Sequence, residues 1–124
     1  MYEMLMMLKP GEAFSLESME ALVRAVCRND EVGVFCRDDT ITVKDDDAQI
    51  TISFSNGDWV AEEARELADH FGVPSAGCTE RYEMSGNDPE MVLFNVFLLI
   101  NERLDSTGLF ILFDCFTGDL FGKA

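Results

Sequence analysis

Chemistry in this chain has to come from carboxylates, four thiols and one imidazole. His70 is the only histidine; it follows Asp69 and lies one turn after Glu66. At the end of a predicted helix a histidine is favoured by the helix dipole, which is a structural role. There is no nucleophile elbow, phosphate-cradling glycine loop or His-Glu-x-x-His pattern. The cysteines, Cys27, Cys36, Cys78 and Cys115, contain no Cys-x-x-Cys pair, so neither a zinc knuckle nor a thioredoxin-type motif is present. Buried reduced thiols are the simpler reading, and a Cys–His pair formed in space stays open at this level. The run Asp45-Asp46-Asp47 invites a calcium reading. Counted from Asp45, however, position five is Gln49, position six is Ile50 and position twelve is Asn56. The turn glycine and the closing carboxylate of a calcium loop are both missing. Two carboxylates in a cleft suffice for general acid–base work, but 24 acidic residues give no way to rank them. No catalytic residue, metal or cofactor is assigned, and the chain reads as a non-enzyme.

The charge balance says more. Asp and Glu number 24 against 9 Lys and Arg, a formal net charge of -15 with a pI near 4.1. Direct nucleic-acid binding is excluded, because phosphate contacts need Lys and Arg, and so is docking on an anionic membrane. The acid is concentrated between Glu31 and Glu90, in the turns between predicted strands and on one face of a predicted helix. These segments are expected to share one edge of the domain and to form a docking surface for a basic protein partner. The candidate partner-binding residues are Asp38, Asp39, Asp45, Asp46, Asp47, Asp58, Trp59, Glu62, Glu63 and Glu66. Trp59 reads either as an interface anchor or as a half-buried staple against the sheet. The plain alternative for the carboxylates is a solvated coat that keeps the protein soluble.

The elements that must position these groups follow from periodicity and punctuation. At 124 residues the chain fits one domain, residues 1–124. Ser15 is a helix N-cap, Leu16, Met19, Leu22, Val23 and Val26 form the stripe, and Asn29-Asp30 stops it. Strands are predicted at 32–37, 40–44 and 48–54, with alternation that leaves one face wet. Asn56-Gly57 turns into a second helix with Asp58 as N-cap, stopped at Gly72 and Pro74. A strand at 78–84 puts Cys78, Tyr82 and Met84 on one face and Thr79, Arg81 and Glu83 on the other. Asp88 and Pro89 open a third helix, apolar almost all round and so expected to be covered on two sides. Leu109–Phe113 reads as a central strand, with Leu120-Phe121 as a short return. The order α-β-β-β-α-β-α-β(-β) predicts an α+β fold: a mainly antiparallel sheet carrying three helices on one face. Residues 1–13 form an apolar N-terminal arm or edge segment, with a partner arm, a dimer contact or core packing as its readings.

Asp88-Pro89-Glu90 before a long apolar helix, and the ending Phe113-Asp114…Thr117-Gly118-Asp119-Leu120-Phe121, lie in the part of the chain from Arg81 onward. This part resembles the small acidic α+β immunity proteins that bacteria encode beside secreted or contact-dependent toxins. The resemblance implies a stoichiometric inhibitor that occludes a toxin active site. Other readings are a phage-type DNA mimic acting on a nucleic-acid enzyme, and a homodimeric chaperone or adaptor joined through the Met-rich N-terminal run. No segment reaches the roughly 18 apolar residues of a membrane span. Met1–Pro10 lacks the basic flank of a secretion signal, so a cytoplasmic location is expected.

Overall fold

Tyr2–Leu8 holds only one exposed side chain, that of Glu3, and apolar groups point from it to both sides. A strand of that kind needs cover on both faces, and it forms the first strand, β1, inside the sheet rather than at an edge. In a computed structural model, described for residues 2–28 and 31–121, β1 is followed by α1 (Leu16–Val26), β2 (Gly33–Arg37), β3 (Thr40–Asp45) and β4 (Ala48–Asn56). Then come α2 (Asp58–Phe71), β5 (Glu80–Asn87), α3 (Phe94–Thr107) and β6 (Phe110–Asp114). The fold is a single α+β domain with three helices and an antiparallel six-stranded sheet in the order β2-β3-β4-β5-β1-β6. The expected order is found with one strand added in front, but the strand expected to be central, β6, ends the sheet beside β1. Its apolar run is buried because both of its faces are covered. Of the readings of the N-terminal run, core packing holds for Tyr2–Leu8 and an arm or edge does not: β1 pairs with both β5 and β6, and Met4, Met6 and Met7 are buried. The short return is present as a bridge between Phe113 and Leu120.

The first face of the sheet is apolar across its whole width. Ile41 and Val43 of β3, Ile50 and Ile52 of β4, Tyr82 and Met84 of β5, Met4 and Met6 of β1 and Leu112 of β6 join one core with α1 and α3. The Ser15 side chain accepts the Ser18 amide at 3.1 Å, and Met19, Val23 and Val26 are the buried stripe of α1. The Asn29-Asp30 stop lies outside the described residues. The helices do not all share this face: α2 packs on the other one, through Ala64 and Leu67 against Leu5, Met7, Ile111 and Phe113. Nor does Asp58 cap α2. Gly57 holds that position at φ 116, a backbone that favours glycine, with no side-chain cap, while Gly72 closes the helix as expected.

The third helix starts later than Asp88-Pro89 suggests. Met91 takes φ 57 and interrupts the helical backbone, so α3 begins at Phe94. It is also not covered on two sides, since Asn95, Leu99 and Glu102 are exposed. Asp88 is buried and serves the preceding turn instead. Its carboxylate accepts the Val92 and Leu93 amides, each at 2.8 Å, and the Tyr2 hydroxyl at 2.5 Å. The Tyr2 ring stacks on Phe97 and lies over Gly86, where a Cβ would sit 2.9 Å from the ring. Tyr2 thereby ties β1 to the entry of α3. Burial raises the Asp88 pKa, but the three hydrogen bonds outweigh it and hold the carboxyl below the ordinary aspartate range. A depressed carboxyl stabilises the fold above its unfolded pKa of about 3.9, and that contribution fades as pH falls through the lower folded value. Tyr2→Phe and Asp88→Asn should each lower stability at pH 7 by about 1.5–3 kcal/mol. In urea unfolding series, the deficit of Asp88→Asn should hold above pH 5 and shrink below pH 4.

Candidate functional site

The antiparallel meander divides the acidic residues between two ends of the sheet. Asp38 and Asp39 make the two-residue β2–β3 turn at φ 51 and 62, a left-handed backbone that aspartate tolerates better than most residues. Asp45 ends β3, and Asp46 and Asp47 form the next turn. The six residues of β3 separate the two turns by about 20 Å. Asp58, Trp59, Glu62, Glu63 and Glu66 ride on α2, which starts at the same end of the sheet as the Asp38-Asp39 turn. Asp45–Asp47 meet a different set, Asp88 and Glu90, around a concavity of about 270 Å³. The single acidic edge expected from the sequence is therefore two acidic ends. Among the described residues no three His, Cys, Asp or Glu side chains converge as a metal site.

Arg81 was placed on the wet side by alternation alone, yet it is 2% exposed. It faces α2, and its Nη2 lies 3.0 Å from Glu63 and 3.4 Å from Glu83. The guanidinium sits under the Trp59 ring, 5.0 Å from its centroid, a cation–π contact. Ser55 donates to the other Glu83 oxygen at 2.7 Å. The Arg81 Nε and Nη1 atoms are buried with no hydrogen-bond partner among the described residues. Trp59 is half-buried, as its reading as a staple expects: one face covers Arg81, and the residue is 51% exposed. The residue type gave no warning of this arginine, because alternation tells which face a side chain takes and not whether that face is covered.

The thiols divide as well. Cys27 and Cys78 are buried, whereas Cys36 and Cys115 are exposed, which corrects the expectation that all four are buried. Desolvation pushes the Cys78 thiol up. Desolvation of the sulfur, with Glu3 and Asp114 near it, pushes Cys115 up to about 11. Neither is an activated thiolate at neutral pH. His70 is exposed in the last turn of α2, where the dipole reading placed it.

Register across the second face shows where it is covered and where it is bare. One row reads Phe35, Thr42, Thr51, Ser85 and Glu3 from β2 through β3, β4 and β5 to β1. The next reads Arg37, Thr40, Ser53 and Glu83, then turns apolar at Leu5 and Phe113. Under α2 lie the apolar ends of such rows, with Arg81 of β5 at their border. The hydroxyl-rich part stays open to solvent or half so, with Thr51 and Ser85 hydroxyls 3.1 Å apart. A shallow concavity of about 350 Å³ on this part is lined by Glu3, Asp47, Gln49, Thr51, Ser85 and Asn87 among others. Comparison with known proteins adds no identity: no family model, curated protein or solved structure matches the chain. No described helix is long and apolar enough to cross a membrane.

The Arg81 cluster makes a graded prediction. Glu63 and Glu83 are 45% and 36% exposed, so solvent screens the pairing, while the arginine stem is fully packed. Arg81→Ala should destabilise by about 2–4 kcal/mol through lost packing and a broken buried pair. Glu63→Gln should cost less than about 1 kcal/mol. Urea titrations followed by Trp59 fluorescence check the order, and equal losses would mean that the pairing rather than the stem holds α2.

Proposed function

We propose that this protein is a non-catalytic binding protein that neutralises a basic protein partner, in the manner of a bacterial immunity protein acting on a toxin. The observation that carries the reading is the α2 flank. Asp58, Glu62, Glu63 and Glu66 surround a half-exposed tryptophan beside an uncovered stretch of sheet. Carboxylates grouped around an aromatic anchor suit a partner with a positive cleft, which they would attract over distance and then occlude. A toxin cleft that handles phosphates must be positive, and carboxylates can stand in for those phosphates. The same property would serve a DNA mimic acting on a nucleic-acid enzyme, with only the partner differing. The homodimer reading loses its proposed contact, because Met4, Met6 and Met7 are buried inside the sheet. The exposed thiols of Cys36 and Cys115 fit action in a reducing cytoplasm.

Affinity capture from the cells that encode the chain, washed at low and then high salt, tests the reading. One stoichiometric basic partner, released by salt, is the expected result. Changing Glu62, Glu63 and Glu66 together to Gln should slow its association about tenfold at low salt and flatten the salt dependence. An unchanged association rate would remove the α2 flank from the interface. Capture of no basic partner under conditions that express the neighbouring genes would overturn the function itself.

A further inference from the structure

We infer that the partner seats on the uncovered part of the second sheet face, across β2 to β5, and that it brings arginine side chains there; this rests on the binding-protein reading above. Cover comes first. On this face β1 and β6 carry Leu5, Met7, Ile111 and Phe113 and lie under α2, whereas Thr42, Thr51, Ser53 and Ser85 have no helix over them among the described residues. Four strands about 4.8 Å apart and about six residues long offer roughly 400 Å². A specific complex needs roughly 800 Å² a side. The contact must therefore climb a wall, and the wall at hand is the α2 flank with Trp59. At the opposite border stands Phe35 of the edge strand, 57% exposed. A single exposed aromatic is ordinary; two that frame one uncovered face are placed as anchors.

Charge then selects the occupant. Glu3 and Glu83 lie on the face, Asp47 and Glu63 on its borders. Of its three cations, Arg81 at the α2 border is already paired with Glu63 and Glu83. Arg37 and Lys44 are confined to the outer strands, and Arg37 has Asp38 beside it at 3.7 Å. Among the described residues this leaves Glu3 and Asp47 as the face's unpaired carboxylates. A second copy of the chain would bring its own net charge of -15 to the same place, so self-pairing is opposed and a basic partner is favoured. Carboxylates beside aromatic rings fit guanidinium better than ammonium, because a guanidinium both forks onto a carboxylate and stacks on a ring.

The full-length ¹⁵N-labelled chain titrated with acetyl-(Arg-Gly)₃-amide, and with its lysine counterpart, at low ionic strength tests this. Expected are amide shifts concentrated at Thr42, Thr51, Ser53 and Ser85 and at the Trp59 indole, with the lysine peptide several-fold weaker. Thr51→Lys places a repelling charge at the centre of the face and should weaken the arginine peptide about tenfold. Phe35→Ser should do so without adding charge, and retained amide dispersion shows that each variant is folded. Equal responses to both peptides, spread over Asp38, Asp45–Asp47, Glu62 and Glu66, would mean counter-ion binding only and overturn the docking face while leaving the protein-binding function standing. No shift anywhere would count against both. Concentration-dependent self-association of the peptide-free chain, perturbing the same residues, would overturn the proposal in favour of a second copy.

Discussion

Leu5 and Met7 on β1, with Ile111 and Phe113 on β6, put apolar side chains on the second face of the sheet, and these must be taken out of water. Each such side chain contributes about 1.5–3 kcal/mol when buried. That cover comes chiefly from α2, through Ala64 and Leu67, with Val73 and Cys78 after it and Leu120 of the short return beside them. Nothing comparable draws the helix toward β3 and β4, whose side chains on this face are all polar: Thr40, Thr42 and Lys44, then Gln49, Thr51, Ser53 and Ser55. The position of α2 follows from this imbalance. So does the open half of the face, which is left over rather than carved out.

The boundary between the two halves is held by a charge. Arg81 sits where the rows change from hydroxyl to apolar: its neighbours in register are Ser55 on β4 and Met7 on β1. Its stem packs like an apolar side chain, while its head finds Glu63 and Glu83 at the rim and the Trp59 ring above. The anchoring of α2 and the exposure of Trp59 are thus one arrangement. A tryptophan held by a buried arginine loses little rotational freedom on binding, which suits an interface anchor.

Much of the framework was legible. The alternation at Gln49, Thr51 and Ser53 against Ile50, Ile52 and Phe54 announced a wet face and a dry one, and Ser15 and Gly72 marked helix ends where they occur. The N-terminal run was harder, because a short apolar segment has no period that separates an inner strand from an arm. Asp88-Pro89 reads as a helix start, but the same carboxylate can serve the amides of a turn, and the left-handed Met91 delays α3. The acidic residues misled for a topological reason. Consecutive turns of an antiparallel meander fall at opposite ends, so Asp38-Asp39 and Asp45–Asp47 cannot share an edge however close they are in sequence. Pairing partners of Arg81 and the course of α2 above it are long-range facts, which local pattern does not carry.

The uncovered half of the second face is the feature on which the functional account stands, and methyl relaxation by a soluble nitroxide measures it directly. In the chain alone, the Thr42 and Thr51 methyls should relax strongly, while those of Leu5, Met7 and Ile111 stay protected; adding the basic partner should protect the two threonines. Threonine methyls already shielded in the chain alone, or left unshielded by a bound partner, would contradict the account.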